Sequence, residues 1–176
     1  MKKNVSRVTV EVIAGNIAKQ KDMEAVVNAA NAWLRPGGGV AGAIHRAAGP
    51  GLEKECRPMA PIKPGEAVIS GAHNLPNRYV IHCLGPVYGR DKPEDELLAA
   101  CYRRALELAE EKGIESVAFP AISTGAFGYP LEAATEVAFR TIGDMIPGLK
   151  KVKHIRFVLH GESALKIHEK YLDSLA

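Results

Sequence analysis

The chain has 176 residues, 47% of them apolar and 24% charged, with 23 basic and 20 acidic side chains and a formal net charge of +3. This length and balance fit one globular domain over residues 1–176, able to bury its own core, and exclude intrinsic disorder. The positive excess is too small, and too evenly spread, for a nucleic-acid surface, and no apolar run is long enough to cross a bilayer, so neither partner is expected.

From Met1 the chain enters strand-like alternation without an apolar signal core, so a cytoplasmic location is expected. Val8, Val10 and Val12 alternate with Arg7, Thr9 and Glu11, the period of a half-exposed strand. Residues 25–29 read as a short buried strand. Helical segments are expected over 43–48 and 52–56, parted by Gly49-Pro50-Gly51. Residues 67–70 and 79–84 read as strands, the second closed by Gly85-Pro86. Over 96–112, Leu98, Tyr102, Ala105 and Leu108 form one helical stripe, and Gly113 stands where a C-terminal cap belongs. A buried strand follows at 116–122. A helix is expected at 131–146, with Pro130 suited to its first turn, then a strand at 154–160 and a helix at 162–175. The alternation predicts an α/β fold, a sandwich with a mixed central sheet and helices on both faces. No repeat, low-complexity tract or linker interrupts it.

Cys56, Cys83 and Cys101 are widely spaced, with no CxxC pair, which argues against a zinc knuckle or a disulfide framework. Cys83 and Cys101 are expected to be buried thiols. The histidine spacing suggests no metal site, and no motif pairs a histidine with a serine or cysteine nucleophile. No cofactor is expected.

Two glycine-rich segments carry the chemistry. Asn28-Ala29-Ala30-Asn31 leads into Gly37-Gly38-Gly39-Val40-Ala41-Gly42, and Ser123-Thr124-Gly125-Ala126-Phe127-Gly128-Tyr129-Pro130 forms the second. Each follows an apolar strand-like run and precedes a helix-like one. Such turns can bring bare N–H groups to phosphate oxygens, helped by a helix N-terminus. Neither is followed by GK[ST], so a P-loop is excluded. Gly37-x-Gly39-x-x-Gly42 formally matches a dinucleotide fingerprint. However, residues 30–37 separate it from the strand, and the acids downstream, Glu53 and Glu55, fall in a helical stretch. A flexible connection would explain three glycines alone, but here Asn31 precedes them and His45-Arg46 follows. Phe127 is a large aromatic where a plain turn favours small polar residues, and it can cover a sugar face.

Val27-Asn28-Ala29-Ala30-Asn31, Gly37-Gly38-Gly39-Val40, Ile44-His45-Arg46-Ala47-Ala48-Gly49, Val80-Ile81-His82, Gly85-Pro86 and Ala118-Phe119-Pro120-Ala121-Ile122-Ser123-Thr124-Gly125 resemble, in order and spacing, the blocks of macro domains. The resemblance runs from about Val8 to Leu172. It implies a three-layer α/β/α sandwich that takes ADP-ribose, free or on ADP-ribosylated protein side chains. By the same resemblance Asn31 meets the distal ribose. Gly38, Gly39, Val40 and Ala41 form one phosphate loop, and Ser123, Thr124, Gly125, Ala126 and Phe127 the other. Asn16, Ile17 and His160 lie at the adenine end, and Asn31, His45 and Phe127 are the candidate catalytic residues.

Two positions depart from the family. Gly15-Asn16-Ile17 stands where members usually carry Gly-Asp-Ile, and the lost charge weakens the expected hold on the adenine amino group. Ala41 stands where the branch that deacetylates O-acetyl-ADP-ribose, and removes ADP-ribose from acidic side chains, has Asp. An alanine cannot accept a proton from water, although His45 and Arg46 match that branch. Two functions remain. One is a slow, substrate-assisted hydrolase of mono-ADP-ribosyl Asp/Glu esters, O-acetyl-ADP-ribose or ADP-ribose 1″-phosphate. The alternative is a non-catalytic ADP-ribose reader.

Overall fold

The structure, a computed structural model, describes residues 1–176. Seven strands form one sheet: β1 (Lys2–Val5), β2 (Val8–Ala14), β3 (Ala25–Ala29), β4 (Ala67–Gly71), β5 (Tyr79–Cys83), β6 (Ser116–Phe119) and β7 (His154–Leu159). Their spatial order is β1-β2-β7-β6-β3-β5-β4. The five central strands run parallel, while β1 and β4 pair antiparallel at the two edges. The mixed sheet expected from the alternation is therefore present, with five α-helices around it.

The helices are α1 (Gly39–Ala48), α2 (Pro50–Cys56), α3 (Glu94–Glu111), α4 (Leu131–Met145) and α5 (Glu162–Ser174). Strand residues alternate between the two faces, as a period of two requires. In β6, Val117 and Phe119 join a core of 35 buried residues beneath α3, α4 and α5, whereas Ala118 joins one of 17 beneath α1 and α2. The larger cluster, with Tyr102, Phe119, Phe139 and Phe157 ring against ring, is the main hydrophobic anchor of the fold.

Several boundaries differ from the sequence reading for physical reasons. Strand β1 was not expected. It folds back on β2 through Ser6 and Arg7, both with positive φ (46° and 73°), a two-residue hairpin turn without the usual Asn-Gly signal. Glu11 is not on an exposed face. It is buried and bonded to Arg156 Nε and His154 Nε2, both at 2.8 Å. Helix α1 starts at Gly39, so Gly39 to Gly42 form its first turn, with Gly38 as its N-cap and Gly37 ahead of it. Its end is set by Gly49, whose φ of 84° stops α1 and hands the chain to Pro50 at the start of α2. Strand β6 ends at Phe119, where Pro120 removes the next donor.

Candidate functional site

The parallel strands β2, β7, β6, β3 and β5 end at one edge of the sheet. Every segment singled out above except His45 leaves the sheet there. Asn16 and Ile17 follow β2, Asn31 to Ala41 follow β3, 123–127 follow β6, and His160 follows β7. Strands β3 and β6 are neighbours, yet their following helices, α1 and α4, pack on opposite faces of the sheet. The chain thus parts at that point and leaves a crevice at the carboxyl ends of the strands, where open α/β sheets bind ligands.

One wall of the crevice is the N-terminus of α1. The N–H groups of Gly38, Gly39, Val40 and Ala41 have no acceptor within the protein, and the first helical bond there is Gly42 N–H to the Gly38 carbonyl at 3.2 Å. Gly39 has φ 55°, a conformation side chains rarely adopt. Gly42 is needed for a different reason: a Cβ there would lie 2.3 Å from the Gly37 carbonyl oxygen. The glycine run is thus folded back against its own helix.

The opposite wall is 123–129. Gly125, Ala126 and Phe127 likewise present N–H groups with no acceptor in the protein. Ser123 holds this loop from below: it sits at φ 68°, buried, and its hydroxyl donates to the Pro86 carbonyl at 2.9 Å. The Ser123 side chain therefore faces inward, and its contribution to a ligand is limited to the backbone. The Thr124 hydroxyl similarly donates to the Ala121 carbonyl at 2.8 Å. Tyr88 N–H donates to the Phe127 carbonyl at 2.9 Å, tying the segment after β5 to the loop. The half-buried side chains of Val40 and Phe127 pack on the same smaller core, so the two walls share a foundation.

Phosphate-sized anions are the natural partners of such unpaired amides at the ends of neighbouring strands. The family model of the Macro domain matches residues 27–138, which contain both walls. The chain belongs to the macro domain family.

Relatives match nearly the full length of the chain. A protein of Cronobacter turicensis named O-acetyl-ADP-ribose deacetylase is 43% identical over 168 residues, which cover 93% of this chain and 95% of that one. Among solved structures, an Oceanobacillus iheyensis macrodomain with ADP superposes with a TM-score of 0.94 at 40% identity, covering 99% of this chain and 95% of that one. The Trypanosoma brucei macrodomain in complex with ADP-ribose does so with a TM-score of 0.83 at 36% identity, covering 92% of this chain and 68% of its own. The three-layer α/β/α fold expected of a macro domain is the fold observed.

Around the macro-domain crevice the remaining candidates have distinct settings. Asn31 stands beside the first wall. Its amide closes a turn, with Oδ1 accepting from Arg35 N–H at 3.0 Å and Nδ2 donating to the Arg35 carbonyl at 2.7 Å. One further donor and one further acceptor site remain on that amide. Asn16 caps a 3₁₀ turn at Ile17–Lys19, its Oδ1 accepting from Ala18 N–H at 2.9 Å. One acceptor site on that oxygen and both Nδ2 donors remain without a protein partner. Ile17 buries its side chain in the smaller core, leaving only its backbone for a ligand. His160 is exposed and emerges next to the Asn16 turn, because Ala14 and Leu159 are paired across β2 and β7.

His45 lies apart from the second wall. It is buried in the last turn of α1, and both its ring nitrogens lack a protein partner. It borders a cleft of about 360 Å³ with Pro36, Gly37, Gly42, Arg46 and Glu53, and nothing from 123–127. Burial lowers its pKa, with Glu53 opposing, so the ring is neutral near pH 7. His82 is fully buried and hydrogen-bonded to Asn28 (3.1 Å) and Ser70 (2.9 Å), and burial holds its pKa down to about 3. It belongs to the core beneath the site. No three His, Cys, Asp or Glu side chains cluster as a metal site would require, and no helix is long and apolar enough to cross a membrane.

Proposed function

We propose that this macro domain binds ADP-ribose across the crevice and slowly hydrolyses ADP-ribose derivatives. The observation that carries this reading is the two sets of unpaired amides, Gly38–Ala41 and Gly125–Phe127, following the neighbouring strands β3 and β6. Two adjacent phosphates fit two adjacent cradles, and charge-assisted N–H bonds contribute about 1.5–3 kcal/mol each. The names of the Cronobacter relative and the Trypanosoma complex support the same ligand.

In this reading Asn31 uses its spare amide donor and acceptor on the distal ribose, and the Phe127 ring covers that sugar. Asn16 and His160 flank the base. For a glutamyl or aspartyl ester, a water oxygen bonds to the anomeric carbon as the ribose–carboxylate C–O bond breaks. The departing carboxylate keeps the bonding pair, and the water's proton passes to a ligand phosphate oxygen and on to solvent. Ala41 supplies no base, so proximity of the bent pyrophosphate drives the step, which makes it slow. His45, neutral and beneath the first wall, acts as a positioning residue. O-acetyl-ADP-ribose and ADP-ribose 1″-phosphate fit the same cradle.

The test is single-turnover release of ADP-ribose from a glutamate-linked mono-ADP-ribosylated protein by wild type, Asn31→Ala and Ala41→Asp, with calorimetry of ADP-ribose alongside. Slow release by wild type, abolished by Asn31→Ala and accelerated by Ala41→Asp, is the expected pattern. Tight binding without release would leave a reader, which Ala41 itself favours. Absence of binding would refute the assignment.

A further inference from the structure

Beside Asn31 the chain makes a feature that binding of ADP-ribose alone does not need. The turn closed by the Asn31 amide forces Leu34 to φ 57°, with its side chain fully buried, and thereby lifts Trp33 to the surface at 55% exposure. A non-glycine residue in that region is strained, and such strain persists only where surrounding contacts over-determine it. Trp33 is the only tryptophan in the chain.

The Arg35 guanidinium lies 5.7 Å from the centre of the Trp33 ring. Both residues line a pocket of about 140 Å³ with Glu53, Arg57 and Ala60. Glu53 also borders the His45 cleft, so the two hollows adjoin at that residue. Arg35, Arg57 and the neighbouring Arg46 take part in none of the protein's ion pairs, although Glu53 stands among them. An exposed aromatic face between unpaired arginines complements carboxylates carried on aliphatic stems.

We infer that the Trp33–Arg35–Arg57 pocket receives an acidic peptide segment flanking the modified side chain of an ADP-ribosylated protein. The inference rests on the reading above, in which the distal ribose lies at Asn31 and the protein arm of the substrate leaves from there. Carboxylates one or two residues from the modified position pair with Arg57 and Arg35, and their methylenes lie on the Trp33 ring.

The experiment measures affinity for three ligands: free ADP-ribose, and two peptides carrying ADP-ribose through a glutamine amide, which replaces the labile ester. One peptide has glutamates flanking the modified residue and the other has glutamines there. Wild type is expected to bind the acidic peptide about tenfold more tightly than the neutral one, as two surface ion pairs with some packing on the Trp33 ring supply. Arg57→Ala and Trp33→Ala should each erase most of that difference and leave free ADP-ribose binding unchanged. Trp33 emission should shift with the acidic peptide and not with free ADP-ribose. Equal affinity for the two peptides, with ADP-ribose still bound, overturns the inference alone. So does Trp33 emission that depends on protein concentration together with a dimer in sedimentation, which would mean a second copy covers the patch. Failure of all three ligands to bind overturns the underlying reading as well.

Discussion

Replacing Gly42 by alanine sets two effects of opposite sign against each other. Gly42 is inside α1, where alanine is ordinarily more favourable than glycine by about 0.5–1 kcal/mol. Here, however, the new Cβ would sit 2.3 Å from the Gly37 carbonyl oxygen and 3.0 Å from Arg46 Nη1. The arginine tip can swing away, but the Gly37 carbonyl is backbone and must retreat by about 1 Å to reach ordinary contact. Overpacking of this kind costs about 1–3 kcal/mol, so it outweighs the propensity gain. The segment displaced is the one carrying the Gly38 and Gly39 amides, and losing the aim of one charge-assisted bond costs about 2 kcal/mol, or about thirtyfold in Kd. The matched control is Gly143→Ala in α4, where the new Cβ would meet only a terminal methyl of Leu175 at 3.1 Å. Chemical denaturation and calorimetry with ADP-ribose, run on both variants, decide the matter. Gly143→Ala should bind like wild type with unchanged or slightly raised stability, and Gly42→Ala should lose both stability and affinity. A Gly42→Ala protein as stable as wild type with unaltered Kd would refute the idea that this close approach shapes the first wall.

A Cβ at Gly85 would lie 2.1 Å from Ser123 Oγ, so Gly85→Ala should break the Ser123–Pro86 bond and weaken ADP-ribose binding through the second wall, read by calorimetry. Arg156→Met leaves the buried Glu11 carboxylate without its guanidinium and should cost about 3–5 kcal/mol in urea unfolding. Asp22 is held at about 2 chiefly by its hydrogen bonds to Arg156, so its stabilising share is complete above its ordinary 3.8 and is lost as pH falls through 2. His45, His82 and His168 all have pKa values lowered mainly by burial, so the unfolded chain takes up protons that the fold does not. Their contribution is complete above pH 6.5 and declines on acidification, by up to about 1.4 kcal/mol per pH unit for each histidine. Unfolding free energies measured from pH 7 to 5 should therefore fall before the carboxylates titrate, and a flat profile would contradict it.

The sheet and its helices were legible because Val26, Ala118 and their neighbours are apolar enough to mark buried strands, and because glycine runs mark where strands give way to helices. The start of α1 was not legible: Gly37-Gly38-Gly39 has poor helix propensity, and its first turn is fixed by packing against Gly42 and not by local preference. The inward turn of the Ser123 hydroxyl, the use of Asn16 Oδ1 in its own cap and the closure of Asn31 on Arg35 depend on partners that chain order does not reveal. Glu11 looked solvent-facing because its burial depends on Arg156, far away in sequence. Trp33 carried no periodic signal at all, since its exposure results from the buried left-handed Leu34 beside it.

Val40 and Phe127 both rest on the smaller of the two cores, the one roofed by α1 and α2. Grip on the ligand and local cohesion of that half are therefore a single cooperative quantity. Loosening the packing of Ile44 or Leu52 is expected to disturb both walls together, so that the smaller core and the two loops respond as one unit.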